Sequence, residues 1–322
     1  MKDLSSLIKP YLLSKKNLFV ALSGGIDSIV LLNEINKQKR KKNLLLTAIH
    51  VNHNIHPDSK KWMEFCEDFC KKNQIKFLSK TLKKTKKKEA SLENSFRKAR
   101  YKFFEENLHD GILFMGHHLD DQIETFFLRI LRGAGIQGLK SIPKERLLGN
   151  GKLVRPFLGV SKEDLIFQAK KDKLKYIKDP SNKENHFDRN YLRNKLLPLL
   201  EKRWPSYRGN VNQLISNLIE ADSILTQTTI SDFKKVRLNE KKISLIELNK
   251  LDEARQKNVV FYWVENLKLK KPSSKVINLF FNKFLKDNKT PNSKFIWGAK
   301  KKQGSVCIEK NKKELRISDY SS

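Results

Sequence analysis

The chain has 322 residues, about twice the size of a typical domain, and its 39% hydrophobic and 32% charged residues are typical of a globular protein. Its 67 basic and 35 acidic residues give a formal net charge of +32. The length excludes a metal- or disulfide-stapled mini-protein, the composition excludes a largely disordered or collagen-like chain, and the charge favours a polyanionic partner such as nucleic acid.

Short apolar runs alternate with helical patterns along the first 200 residues. The apolar runs cover residues 18–22, 44–51 and 112–115, with weaker strands at 75–81, 153–157 and 175–178. The helical patterns cover residues 27–39, 58–72, 91–107 and 119–132, and a further helix begins near Ser161. This alternation predicts an α/β fold with a Rossmann-like parallel sheet and helices on both faces.

The character of the chain changes after residue 200. Trp204 and Pro205 interrupt it, and a long helical pattern follows. We therefore predict one domain over residues 1–204 and a smaller, mainly helical domain over residues 205–322, with a candidate hairpin within residues 294–317. We interpret the basic run at residues 83–88 as a solvated loop.

The cellular location follows from what the sequence lacks. No stretch approaches the roughly 20 apolar residues that span a bilayer, and the first residues do not resemble a secretory signal. The three cysteines, Cys66, Cys70 and Cys307, cannot all pair with one another. We expect a soluble, cytoplasmic protein with reduced thiols and no membrane partner. The oligomeric state is left open, with a homodimer as one option.

The most specific local pattern is SGGIDS at residues 23–28, between the first apolar run and the first helix. Two glycines let the backbone approach a ligand, and hydroxyls with the unpaired amides of a helix N-terminus suit phosphate. Asp27 would repel a bare phosphate, but it fits a site in which Mg²⁺ joins the carboxylate to a nucleotide. The alternative is a plain Gly-Gly turn with a helix cap.

Histidines follow the second apolar run, in HVNHNIHPDS at residues 50–59. Histidines at every third residue of a strand and loop would not obviously converge on a metal. The loop lies at the carboxyl edge of a parallel sheet, where nucleotides bind, so we place His53 among the nucleotide contacts.

The string GHHLDDQIETFFLRILRG occupies residues 116–133, directly after the third apolar run. On a helix, its apolar residues form a buried stripe, and Asp121 and Glu124 lie three residues apart on another face, where they can reach one ligand together. We place both, with His117, in the active site at the same sheet edge as SGGIDS. An exposed acidic helix start is the preferred interpretation for Asp120. The predicted stripe consists of Leu119, Ile123, Phe126, Phe127 and Ile130.

These strings resemble known families. SGGIDS resembles the pyrophosphate loop (PP-loop) of the N-type ATP pyrophosphatases, which adenylate a carbonyl oxygen and let a nitrogen or sulfur nucleophile displace AMP. The two histidine-containing strings are similar to those of tRNA(Ile)-lysidine synthases, although His56 stands where that family commonly has Arg. NSFRKARY at residues 94–101, LVRPF at 153–157 and the DPSN and RNYLRNKLLP strings within 179–198 agree with the same family. The resemblance covers about residues 17–200, and longer family members carry a further C-terminal domain.

The resemblance implies a reaction. The chain would attach free L-lysine to C2 of the wobble cytidine in the isoleucine tRNA with a CAU anticodon, using ATP and Mg²⁺. Residues 1–204 would form the PP-loop catalytic domain, and residues 205–322, with basic clusters such as 300–302, would bind tRNA.

The resemblance also implies residue roles. Asp27 would hold magnesium, Arg100 would face the nucleotide or the activated intermediate, and Asp121 and Glu124 would bind the amines of lysine. Arg189 and Arg193 would bind tRNA phosphate or pyrophosphate, or would instead pair with nearby acids. The residues assigned to ATP, with His53 beside them, are Ser23, Gly24, Gly25, Ile26, Asp27 and Ser28.

Two other functions remain as alternatives. A PP-loop tRNA thiolase would need cysteines to carry sulfur or a cluster, whereas Cys66 and Cys70 lie in a helical pattern and Cys307 is remote from them. A non-catalytic basic RNA-binding protein would explain the charge but would leave the phosphate loop and the acidic helix unexplained.

Overall fold

The computed structural model describes residues 3–12, 17–42, 44–83, 89–286, 292–298 and 304–320. Most of the basic run at 83–88 and the 300–302 cluster lie outside these residues. The chain divides into two compact units, Met1–Leu218 and Ile219–Ser322. The division lies within a long helix, Tyr207–Val236, and not at Trp204 and Pro205.

A six-stranded sheet forms the centre of the first unit. Its strands are β1 Leu18–Ala21, β2 Leu46–Asn52, β3 Lys76–Thr81, β4 Ile112–Phe114, β5 Glu145–Leu148 and β6 Gly151–Val154. They lie in the order β3-β2-β1-β4-β6-β5. Neighbouring strands are parallel except for β5 and β6, which form an antiparallel hairpin at one edge.

Helices cover both faces of this sheet. The helices up to the division are α1 Leu4–Ile8, α2 Ile26–Lys42, α3 Ser59–Lys72, α4 Glu89–Leu108, α5 Leu119–Leu131, α6 Ile136–Leu139, α7 Lys162–Lys171, α8 Asp188–Tyr191, α9 Leu197–Arg203 and α10 Tyr207–Val236, the last of which continues into the second unit. Of these, α1, α2, α3 and α7 lie on one face of the sheet and α4 on the other. Alternate residues of β1 point to opposite faces, as a strand requires. Leu18 and Val20 pack in the core beneath α1, α2, α3 and α7, whereas Phe19 packs with Phe104 and Leu108 of α4.

The structure confirms the predicted fold class and changes three details. Residues 175–178 form no strand; they are irregular and run beside the loop after β1. The strand predicted at residues 153–157 overlaps β6, which ends at Val154, whereas its antiparallel partner β5 has no counterpart among the predicted elements. Ile130, expected in the buried stripe of α5, is 45% exposed, whereas Ile123 is fully buried against Leu197 and Tyr207.

The second unit contains more strand than the sequence predicts. It includes helices α11 Leu245–Leu248, α12 Glu253–Asn266 and α13 Ser274–Leu279. Its strands are β7 Arg237–Asn239, β8 Lys242–Ser244, β9 Ser293–Trp297, β10 Ser305–Lys310 and β11 Glu314–Tyr320. They form an antiparallel sheet in the order β7-β8-β11-β10-β9. Within the described part of the chain, no helix has the length and apolar character needed to cross a membrane.

Candidate active site

A tight loop connects β1 to α2 at the carboxyl edge of the parallel strands. Gly24 in this loop has φ +85°, a left-handed conformation that favours glycine. A Cβ atom there would lie 2.4 Å from Cδ1 of Ile177 and 3.1 Å from Sγ of Cys66, so the packing also requires glycine. The Ile177 N–H donates to the Gly24 carbonyl at 2.9 Å, and this bond holds the loop from the side.

Two serines tie the loop to the start of α2. Ser28 Oγ donates to the Gly25 carbonyl at 2.9 Å and accepts from the Ser23 N–H at 3.2 Å. The first amides of a helix have no partner within it, and the helix dipole gives them partial positive charge. The loop is therefore suited to a phosphate group. Ile26 offers only its backbone to such a ligand, because its side chain is buried in the core.

The GHH string begins directly against this loop. A Cβ atom at Gly116 would lie 2.9 Å from the carbonyl carbon and oxygen of Asp27. Only glycine permits so close an approach, which places His117 and His118 beside the phosphate loop. The fold thus brings the two motifs together at one sheet edge.

Asp27 contacts a lysine that no sequence pattern predicts. Lys162 Nζ donates to Asp27 Oδ1 at 2.5 Å, and Nε2 of His118 lies 3.7 Å from the same oxygen. The Asp27 and Lys162 side chains are 29% and 33% exposed, so this pair reaches solvent. Both contacts use Oδ1 and leave Oδ2 for another ligand.

His118 is buried among carboxylates. Its Nδ1 lies 3.3 Å from Oδ2 of Asp120, and its Nε2 lies 3.6 Å from Oδ2 of Asp121. Burial acts to lower the pKa of His118, but the contact with Asp120 and the charges of Asp121 and Asp27 outweigh it and raise the pKa. The protonated ring is therefore favoured, and it offsets negative charge at the start of α5.

Asp120 has a structural role in this arrangement. Its side chain accepts from the backbone N–H of Lys162 at 3.1 Å and from Nε of Arg208 at 2.9 Å. Burial acts to raise the pKa of Asp120, but His118 and Arg208 outweigh it and lower the pKa. Asp120 therefore joins α5 to α7 and α10 as an anion.

The two acids expected to bind lysine hold arginines in the structure. Glu124 is fully buried, and it accepts from Nε of Arg189 and from Nε of Arg193, both at 2.6 Å. A second nitrogen of Arg193 donates to Glu124 at 3.0 Å, and Arg189 also donates to Asp121 at 2.7 Å. Pairing with acids, one of the two roles left open for these arginines, is thus what the structure shows.

The arginines lie on a segment that is fixed by its own hydrogen bonds. Asp179 accepts from the Ser181 N–H at 2.9 Å and caps a short 3₁₀ turn. The Asn190 side-chain amide donates to the carbonyls of Ser181 and Glu184, both at 2.9 Å. Arg189 belongs to α8 and Arg193 to the π-helical turn that follows it. The DPSN and RNYLRN strings therefore hold both guanidinium groups against α5.

Within this network the surroundings favour the charged forms of Asp121 and Arg193. Burial acts to raise the pKa of Asp121, but the charges of His118 and Arg189 outweigh it and lower the pKa. Burial acts to lower the pKa of Arg193, but the hydrogen bond to Glu124 outweighs it and raises the pKa. A cationic ligand must therefore displace a guanidinium group to reach these carboxylates.

His117 differs from its neighbour in charge. Burial lowers its pKa to about 4, with Asp121 opposing the shift and Arg155 adding to it. Arg155 is 3% exposed, and its Nε donates to Nδ1 of His117 at 3.1 Å. Because Nδ1 accepts this bond, the neutral ring carries its proton on Nε2 and acts as a hydrogen-bond donor there. Arg155 belongs to the LVRPF string, and no local sequence signal predicts its bond to His117, 38 residues away.

His53 and Arg100 lie within electrostatic range of each other. Burial lowers the pKa of His53 to about 4, and the positive charge of Arg100 adds to the shift. Arg100 acts in the same direction on His117. Arg100 therefore lies close to both His53 and His117, and His53 is neutral at physiological pH.

The donor set suits magnesium only if a nucleotide is present. Among the described residues, no group of three or more His, Cys, Asp or Glu side chains is arranged to hold a metal ion. Magnesium in nucleotide sites uses one or two carboxylates together with phosphate oxygens and water. Asp27, beside the phosphate loop and with Oδ2 available, fits that pattern.

Comparison with known proteins places this site in a family. Residues 1–200 match the PP-loop domain family. The chain belongs to the PP-loop family. The matched range includes residues 23–28, and the resemblance noted in the sequence is confirmed by curated relatives.

Two relatives of this PP-loop protein are tRNA(Ile)-lysidine synthases. The synthase of Coxiella burnetii is 36% identical over 254 residues, which cover 79% of this chain and 56% of that protein. The synthase of Buchnera aphidicola subsp. Schizaphis graminum is 37% identical over 293 residues, which cover 88% of this chain and 63% of that protein. The chain thus spans about three fifths of the length of these relatives.

A solved PP-loop structure shares the fold. It is a tRNA thiolase from Methanococcus maripaludis, with a TM-score of 0.55 and 21% identity, and the match covers 67% of this chain and 78% of that one. At this identity the likeness supports the architecture alone.

Proposed function

We propose that this protein ligates L-lysine to C2 of the wobble cytidine in the isoleucine tRNA with a CAU anticodon, converting ATP to AMP and pyrophosphate. The observation that carries the proposal is the pair Asp121 and Glu124, which binds nitrogen cations beside a phosphate-binding loop. This is the chemistry needed by an enzyme that brings an amine to a phosphate-activated carbon. The names of the curated relatives support the choice of lysine and of tRNA.

The first step is adenylation of the tRNA. The C2 oxygen of the cytosine attacks the α-phosphorus of ATP, and the bond to the pyrophosphate oxygen breaks. Amides of the PP-loop and the N-terminus of α2 stabilise the charge on the departing pyrophosphate. Lys162 adds a positive charge beside Asp27. Magnesium would be held by Asp27 together with phosphate oxygens and would neutralise charge on the pyrophosphate.

The second step is attack by lysine. The ε-nitrogen bonds to C2, the bond between C2 and the activated oxygen breaks, and AMP leaves with that oxygen. Glu124 is fully buried and suits the cationic amine, whereas the Asp121 side chain is 14% exposed and can accept the proton that the attacking nitrogen loses. The neutral His117 donates from Nε2 and can hold an oxygen of the intermediate.

Lysine binding requires an exchange of cations. Both carboxylates carry guanidinium groups, and the Arg189 and Arg193 side chains are 41% and 37% exposed, so they can swing into solvent when an ammonium group replaces them. A released guanidinium binds phosphate well, because its planar fork matches phosphate oxygens. Within one catalytic cycle these arginines would then first pair with the acids and afterwards bind phosphate, which are the two roles that the sequence left open for them.

The thiolase alternative is disfavoured by the state of the thiols. Cys66 and Cys70 are fully buried and unpaired, and burial raises the pKa of each thiol to about 12. Thiolate is the form that attacks sulfur or binds a cluster, and these two thiols are protonated at physiological pH. Cys307 is also buried, and burial raises its pKa.

The direct test is mass spectrometry of tRNA nucleosides. The full chain is incubated with Mg-ATP, lysine and a transcript of the isoleucine tRNA, and the tRNA is then digested. We expect one cytidine to gain a lysyl group, with release of AMP and pyrophosphate, and no gain when ATP or lysine is omitted. A sulfur-containing nucleoside would support the thiolase, and tRNA binding without any modified nucleoside would support a binding protein; either result refutes the proposal.

A further inference from the structure

Arginine is rare in this chain, and its distribution is uneven. The chain has 14 arginines and 53 lysines, yet four arginines lie around one side chain, Tyr101, and a fifth, Arg129, lies within electrostatic range of Arg97. This set, the arginine cluster, consists of Arg97, Arg100, Arg129, Arg146 and Arg155. A chain that otherwise prefers lysine retains arginine where its planar, bidentate donor geometry is needed.

Tyr101 lies at the centre of the cluster. The guanidinium carbon of Arg146 lies 4.8 Å from the centre of its ring, and those of Arg97 and Arg100 each lie 5.6 Å from it. These are cation–π distances, so the aromatic ring holds the guanidinium groups together. Burial acts to raise the pKa of Tyr101, but the charges of Arg155 and Arg100 outweigh it and lower the pKa.

Three members of the cluster donate to backbone carbonyls or to side chains other than carboxylates. Arg129 donates to the carbonyl of Ser141, Arg146 to the carbonyl of Leu147 at 3.3 Å, and Arg155 to the carbonyl of Pro143 and to His117. Arg146 and Arg155 also bond to the hydroxyl of Tyr101. Burial and the charge of Arg97 both lower the pKa of Arg129, which is the effect of a neighbouring cation. Like charges at this density repel one another, and an anionic ligand would relieve the repulsion.

The cluster extends from the active site to the surface. Arg155 is buried and bonds to His117 at its inner end, whereas Arg97 on α4 and Arg146 on β5 are exposed. ATP phosphates already have the PP-loop and the N-terminus of α2. A chain of phosphates that enters the site from outside is the ligand that matches a row of arginines leading inward.

We propose that Arg97 and Arg146, stacked on Tyr101 and supported by the charge of Arg129, bind phosphodiester groups of the RNA strand next to the modified nucleotide. The inference rests on the proposed function, because it takes tRNA as the substrate. Arg155 is a positioning residue in this arrangement, since it acts through His117.

The test compares Arg97→Gln, Arg146→Gln and the double variant with wild type. Lys98→Gln is the matched control, because it removes the same charge from the next residue of α4. Filter binding gives the tRNA affinity over a salt series, and pyrophosphate release gives KM for ATP. We expect the double variant to bind tRNA at least about tenfold more weakly and to lower the log–log salt slope by roughly 1.4 to 1.8, that is 0.7 to 0.9 per phosphate. Arg146→Lys should keep most of the slope but lose affinity, because lysine lacks the bidentate fork.

Several results would overturn the inference. Double-variant binding equal to that of Lys98→Gln, with the same salt slope, would show that only the general positive charge matters. A rise in KM for ATP with unchanged tRNA affinity would assign the cluster to the nucleotide. Failure of the proposed function is separate: wild type would form no lysyl-cytidine while tRNA binding still depended on Arg97 and Arg146.

Discussion

Replacing Glu124 with Gln tests both the energetics and the chemistry of the site. Glu124 is fully buried and accepts three hydrogen bonds from two arginines, at 2.6, 2.6 and 3.0 Å. Glutamine has nearly the same shape but offers one acceptor oxygen and an amide that donates. One of the two guanidinium groups must therefore lose its acceptor, while the packing of α5 stays intact.

The magnitude follows from the exposure of the arginines. A hydrogen bond to a charged group contributes about 1.5 to 3 kcal/mol. Breaking a fully buried ion pair costs about 3 to 5 kcal/mol, but the Arg189 and Arg193 side chains are 41% and 37% exposed and can regain water. We therefore expect a loss of roughly 2 kcal/mol, which lowers the Tm of a unit of this size by roughly 4 to 8 °C.

Scanning calorimetry measures this loss of stability, and steady-state kinetics measures the effect of the substitution on KM for lysine and for ATP. Glu64→Gln is the control, since Glu64 is 54% exposed and lies 3.8 Å from Lys60, a pair expected to contribute less than about 0.5 kcal/mol. In Glu124→Gln, KM for lysine should rise about tenfold or more, whereas KM for ATP should stay within about twofold. A Tm equal to that of the control would refute the energetic argument, and an unchanged KM for lysine would refute the assignment of Glu124 to lysine.

Three further predictions concern the phosphate loop, a buried histidine and the net charge. Asp27→Asn should abolish pyrophosphate release. It should lower the free energy of unfolding by less than about 1 kcal/mol, because the pair of Asp27 with Lys162 reaches solvent. Full activity in a variant that melts at the wild-type temperature would show that Asp27 is not part of the site. The pKa of His53 is about 4 in the folded chain and about 6.5 when unfolded, so unfolding takes up a proton in this range and stability falls as pH drops from about 6.5 to about 4. Melting at pH 7 and at pH 4.5 should show a smaller pH-dependent loss in His53→Gln, and an equal loss would contradict this account. If the charge of +32 serves tRNA, tRNA affinity should fall steeply with salt and ATP affinity much less, and a flat tRNA titration would contradict that role.

Local patterns predict the parts of this protein that depend on local physics. The apolar run of β1 and the glycines after it predict a strand, a tight turn and a helix start, and the structure contains all three. The spacing of Asp121 and Glu124 places them on one side of a helix, where they share Arg189. These features depend on residues that are close together in the chain, so a local sequence pattern can predict them.

Contacts between distant segments are not visible in such patterns. Lys162 and Asp27 are 135 residues apart, and no periodicity connects them. Ile177 lies in the segment predicted as a weak strand at residues 175–178, yet its backbone bonds to the loop at Gly24. The strand β7 is exposed at all three residues, so it lacks the alternation that would identify it. In each case tertiary packing decides the structure.

The bond between Ile177 and Gly24 has a consequence for nucleotide affinity. Because the peptide unit is planar and trans, a Gly24 carbonyl that points to Ile177 turns the N–H of Gly25 in the opposite direction. The direction of that amide is thus set, before any phosphate arrives, by a coil more than 150 residues downstream together with Ser23 Oγ, which accepts a long bond from it at 3.4 Å. A nucleotide that meets amides already in position loses little binding free energy to ordering the loop. Substitutions in the coil around Ile177 should therefore weaken ATP binding, although the substituted side chains would not contact the nucleotide.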